Sequence, residues 1–168
     1  KFIYEGILLE VSYLSSDQLP SADAVLGQYH MAGSFRASSI LWDIRGQLTE
    51  LQTNVSQNFT KRPWVIKRCD HAKNKVLQHL KYITQAEHFH NQVASWVFGT
   101  GVTTHILLVA GLWNPTVRRR YFTTRELLRE YHQLDLYETL LDMLGCAQMS
   151  RKTVEHHLLT LTDAFDTV

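Results

Sequence analysis

HILLVAGLWNPTVRRRY, residues 105 to 121, is the stretch whose reading decides the fold. Ile106 to Leu112 is an apolar run too short to span a bilayer and apolar on too many sides for a surface helix. It predicts the central helix of a compact helical domain. Pro115 lacks a backbone donor and pushes Asn114 out of the α region, so the helix is expected to end or kink there. Arg118, Arg119 and Arg120 then place three adjacent cations at the edge of a buried element. Either they are solvated or paired with local acids, or they hold an anionic group; spacing alone favours the first.

Working outward towards the C-terminus, Thr123-x-x-Glu126 reads as a capping box opening a helix that runs through His132. Asp135-x-x-Glu138 is a second such box, and its helix stops at Gly145, well placed as a C′ residue. Ser150 caps a last helix with Val154, Leu158, Leu161 and Phe165 on one face. Towards the N-terminus, Gln85 to Phe98 is helical, with Gly99 and Gly101 expected to break it. Pro63 opens a long helix over Trp64 to Tyr82, with Val65, Cys69, Ala72, Val76 and Leu80 at helical spacing. Gln47 to Phe59 sets Leu48, Leu51, Val55 and Phe59 on one stripe.

Ahead of these helices, residues 2–14 (FIYEGILLEVSYL) fall into two β-favouring runs around Glu5-Gly6 and predict a β-hairpin. Ser21 caps a short helix over Ala22 to His30, and Ser39 to Asp43 (SILWD) is a further short strand candidate. These strands are too few for a self-sufficient sheet. The expected fold is mainly α, an up-and-down bundle of five or six helices with a small N-terminal β-hairpin and α+β remnant. Residues 1–45 form the remnant of an α/β domain and 46–168 the helical bundle. The chain opens inside a strand-like pattern without an initiator Met, which predicts a fragment of a longer protein.

At 168 residues and 45% apolar composition the chain can bury a proper core. A formal net charge of +1 gives no bulk attraction to nucleic acid or to a membrane surface, and neither is expected as a partner. The two cysteines, Cys69 and Cys146, lack metal-type spacing and read as reduced thiols of a cytoplasmic protein. His88 and His90 are two apart, so on a helix they face different directions, and no HExxH spacing appears; a zinc site is not expected. There is no P-loop, dinucleotide fingerprint or Gly-x-Ser-x-Gly elbow. Glu87, Asn91 and Ser95 fall one helical turn apart, a polar stripe that either lines a cleft or faces solvent. Glu10 sits amid apolar neighbours, by default on the solvent face of its strand and otherwise aimed at a metal or cation.

Trp96 and the apolar helix after it, then RRRYFTTRELL, LYETLLDMLG and a capped helix ending in AFD, resemble the C-terminal helical domain of nucleotidyltransferases of the aminoglycoside (kanamycin) type. FIYEGILLEVSYL is similar to the last strands of the polymerase-β-like domain that precedes such a bundle. The resemblance implies transfer of a nucleoside monophosphate from a nucleoside triphosphate to a hydroxyl of a small substrate, with Mg2+ clamping the phosphates and a base taking the hydroxyl proton. The paired Gly-Ser and Asp-x-Asp motifs of the family are missing, so this chain alone is expected to be inactive. By the same resemblance Glu10 matches a late acidic strand position and would be a metal-proximal carboxylate. The family's base position falls on Asn91, which cannot act as a base, with Glu87 one turn earlier as a substitute; Ser95 stands where the family has lysine. Arg118, Arg119 and Arg120 would brace the bundle through acids on adjacent helices or neighbour the phosphate cleft.

A reading of a different class is a non-enzymatic helical module that binds a protein or forms a homodimer, with Trp96, Phe98 and Trp113 as anchors. A third is a degenerate nucleotidyltransferase that keeps the fold without the chemistry, consistent with Asn91 and Ser95.

Overall fold

A computed structural model describes residues 1–15, 17 and 19–167. The fold is mainly α, with seven α-helices and a two-stranded sheet among those residues. It divides into two compact units, Lys1–His71 and Ala72–Val168.

The first unit opens with strands β1 (Phe2–Tyr4) and β2 (Ile7–Leu9), antiparallel in the register Phe2↔Leu9. Glu5 and Gly6 both take positive φ, 48° and 76°, the two-residue turn whose twist matches that of the strands it joins. The hairpin is shorter than the 2–14 expectation and exposed on both faces. Helix α1 (Ala22–Gly27) starts where Ser21 Oγ accepts from the Ala24 N–H at 3.2 Å, and ends three residues before His30. A 3-10 turn at Ala32–Phe35 follows.

SILWD is not a strand. Asp43 instead accepts hydrogen bonds at Oδ2 from the Thr49 N–H at 2.8 Å and the Thr49 hydroxyl at 3.0 Å, fixing the entry to α2 (Gln47–Asn58). With no other strand beside it, this carboxylate cap is the local arrangement that satisfies backbone donors. Val25, Leu26 and Val55 are fully buried and packed with Leu51, Phe35 and Trp64. Residue 68, on α3 (Arg62–Gln85), completes this core with a cation. The Arg68 guanidinium donates to the carbonyls of Phe59 (2.7 Å) and Leu26 (3.3 Å) and lies 4.3 Å from the centre of the Phe59 ring. The carbonyls and the ring face replace the water that burial removes.

The second unit is organised on α4 (Phe89–Ala110), which packs against α5 (Arg120–Glu130) and touches α6 (Leu134–Met143), itself packed on α5. The expected shielded helix is therefore real but begins 17 residues before Ile106. Gly99 and Gly101 do not break it. They are the positions where neighbours come closest: a Cβ on Gly99 would lie 3.3 Å from His79 Cβ, and one on Gly101 would overlap the Arg120 guanidinium. By length and composition α4 could cross a membrane, unlike the short run considered in isolation. Nearly half of its apolar window is buried inside the chain, as in a core helix of a globular bundle.

Helix α4 ends four residues ahead of Asn114, at Ala110. Leu112 takes φ +61°, its N–H donates to Val109 O (3.1 Å), and the Trp113 N–H donates to Leu108 O (2.7 Å). This is the Schellman pattern without its usual glycine. His132 (φ +55°) closes α5 in the same way, and Gly145 (φ +76°) closes α6 as expected. Helices α5 and α6 start at Arg120 and Leu134, so Thr123 lies inside α5 and Asp135 inside the first turn of α6; neither forms the expected capping box. Ser150 does cap α7 (Arg151–Asp166), accepting from the Thr153 N–H at 3.1 Å. No described residue of α7 is buried.

Candidate functional site

Packing on α4 positions the start of α5. The Tyr121 hydroxyl donates to Thr100 O (3.3 Å), and His105 Nε2, as the N–H tautomer, donates to Thr116 O (3.3 Å). These bonds tie the α4–α5 connection to the helix it leaves, and the Arg120 guanidinium lies over the Cβ-free surface of Gly101. Burial is the main force lowering the His105 pKa; the bond to Thr116 opposes it and the charge of Arg120 adds to it. Burial likewise pushes the Tyr121 phenol up.

Arg118, Arg119 and Arg120 therefore gather where α5 begins. Arg118 and Arg119 are exposed, Arg120 is half-buried, and Arg119 stacks 4.9 Å from the centre of the Phe122 ring. No ion pair among the described residues involves any of the three, so the expected bracing by acids on adjacent helices is absent. The first turn of α5 holds no acidic residue and no side chain caps it. A helix N-terminus already carries positive partial charge and open N–H groups, so three cations there are each disfavoured by about 0.3–1 kcal/mol. An anion at this end would meet those N–H groups and the guanidinium forks together.

Glu87 is in the turn between α3 and α4 and Asn91 is in the first turn of α4, both exposed, so they do not form one face of a single helix. Ser95 is half-buried on α4. Glu10 follows the hairpin, exposed, with its carboxylate 3.5 Å from Lys1 Nζ. His88, at the cap of α4 rather than within it, stacks its ring on that of His90 at 5.5 Å between centres, contrary to the expectation of divergent directions. Among the described residues no group of three or more His, Cys, Asp or Glu side chains could hold a metal ion.

Two features lay outside the sequence reading. A cleft of about 870 Å3 in the first unit is lined by Leu19, Trp42, Asp43, Arg45 and Glu50, among others. The Asp43 carboxyl there is held below its ordinary range chiefly by the hydrogen bond from the Thr49 backbone. Buried Arg68 was the other. Its signal was its place four residues from both Trp64 and Ala72, on the apolar stripe of α3.

The class of protein is thus a helical bundle with an appended β-hairpin and an arginine-lined helix entrance. Comparison with protein-family models, with curated proteins and with solved structures found no match to the chain.

Proposed function

We propose that this chain is the substrate-facing C-terminal part of a nucleotidyltransferase-like protein, in which the entrance to α5 holds an anionic group of the nucleotide. The observation that carries this reading is the cluster of Arg118, Arg119 and Arg120 at a helix N-terminus, without an acid partner among the described residues. An arrangement that costs stability locally is a mark of a site kept for binding. A triphosphate offers the matching charge and oxygen geometry for guanidinium forks. The whole protein would use Mg2+ to clamp the phosphates during transfer to a hydroxyl of a small molecule, in the cytoplasm, with Cys69 and Cys146 remaining thiols. Glu87 is the carboxylate proposed as base. This chain alone binds nucleotide without turning it over.

Titration of the chain with each nucleoside triphosphate, with and without Mg2+, tests this by calorimetry. Replacing Arg118 and Arg119 together by serine should weaken binding at least tenfold, since charge-assisted hydrogen bonds contribute about 1.5–3 kcal/mol each. Absence of binding at millimolar nucleotide, or equal binding by the double variant, would overturn the assignment. The interaction-module reading draws its support from a different observation, the unburied helix α7.

A further inference from the structure

The cleft in the first unit combines an apolar floor, an exposed indole and two opposite charges that meet no partner. Leu19, Ala22 and Leu51 form the floor, and the same residues pack against the buried Val25, Leu26 and Val55. One wall is the turn ahead of α2. It is fixed where Asp43 accepts both bonds from Thr49 and where Gly46 takes φ +69°, a conformation that favours glycine. That turn sets Trp42 in the wall of the cleft with its side chain 80% exposed. Arg45 and Glu50 line the same cleft, both exposed, and no ion pair among the described residues involves either of them. Asp43 is already occupied by Thr49, so the charges open to a ligand are one guanidinium and one carboxylate.

We infer that this cleft binds a short peptide with free termini and an aromatic side chain. A ligand with a single charge would satisfy one of the two groups and set its like charge beside the other. A zwitterion satisfies both. The guanidinium fork of Arg45 matches the two oxygens of a terminal carboxylate, and Glu50 accepts from a terminal ammonium. Between them the leucine floor takes an apolar side chain, and the Trp42 indole offers an aromatic ring a stacked or edge-to-face partner. At about 870 Å3 the cleft falls within the roughly 300–1,000 Å3 of small-molecule sites, and it is roomier than one amino acid needs. Two or three residues fill it better. The Asp43–Thr49 bonds hold the turn before any ligand arrives, so little ordering opposes binding. Because both charges face water, the affinity is modest, with a Kd on the order of 100 µM.

Titration of the full chain with the dipeptide phenylalanyl-phenylalanine, followed by calorimetry, tests this. Two blocked forms serve as single-charge probes, the C-terminal amide and the N-acetyl dipeptide. Each should bind about three- to fivefold more weakly than the free dipeptide, the scale of an exposed charge pair. Arg45→Gln should weaken the free dipeptide by the same factor and leave the amide unchanged. Glu50→Gln should weaken the free dipeptide and leave the N-acetyl form unchanged. Trp42→Ala should weaken all three about tenfold. All three side chains are exposed, so the variants should keep the wild-type thermal transition. No binding of the free dipeptide at about 5 mM would overturn the proposal. So would blocked forms that bind as tightly as the free dipeptide, or an Arg45→Gln chain that loses the amide as much as the free peptide. None of these probes is a nucleotide, so their failure leaves the assignment of the α5 entrance standing.

Discussion

Thr124 is fully buried on α5, and its hydroxyl meets no hydrogen-bond partner among the described residues. A buried hydroxyl left unpaired is less stable than the methyl of the same shape. Thr124→Val should therefore raise stability by about 1 kcal/mol, seen as a melting temperature a few degrees higher. His105 makes a second case at this scale. Its pKa in the folded chain is lowered, first by burial, so the unfolded chain takes up the proton at higher pH. The contribution to stability is present above about pH 6.5 and is lost as pH falls towards the folded value. Thermal melts between pH 7.5 and 5.5 should show a smaller loss for His105→Gln than for wild type. Equal pH slopes would exclude His105 as a source of the acid sensitivity. Neither residue announced itself in the sequence, because a threonine or histidine within a helical pattern carries no sign of whether packing will remove its water.

Among the elements, the helices were legible wherever apolar spacing was sustained, as over Gln47–Asn58, or where the cap was a serine, as at Ser21 and Ser150. Their ends were not legible where tertiary contact overrode local preference. Glycine is a poor helix former in isolation, which is why Gly99 and Gly101 read as breaks, yet each gives room for a side chain from elsewhere in the unit. Leu112 and His132 hid two helix ends because a left-handed residue there is normally glycine. The arginines were visible as a run, whereas their lack of acid partners depended on the neighbours that folding supplied. Gly111 offers a direct test of the close packing. A Cβ on it would stand 2.6 Å from Leu127 Cδ1, and Leu127 is itself buried between the helices. Gly111→Ala should destabilise the second unit by about 1–3 kcal/mol, measured by denaturant unfolding, without loss of helix content in the folded state.

For the molecule as a whole, composition and period were enough to predict a mainly helical chain with a small hairpin in front. What they could not supply was the division into Lys1–His71 and Ala72–Val168, since the change falls inside the continuous helix α3, where the apolar stripe gives no punctuation. Nor could they reveal what stands at the centre of the first of those units. The Arg68 guanidinium bonds at once to the last turns of α1 and to the end of α2 from its own place on α3. Sliding any one of these three segments would strand a desolvated charge or a carbonyl, at a cost that no small rearrangement recovers. The packing of α1, α2 and the start of α3 is therefore built to come apart in a single event, with little room for partly loosened forms in between.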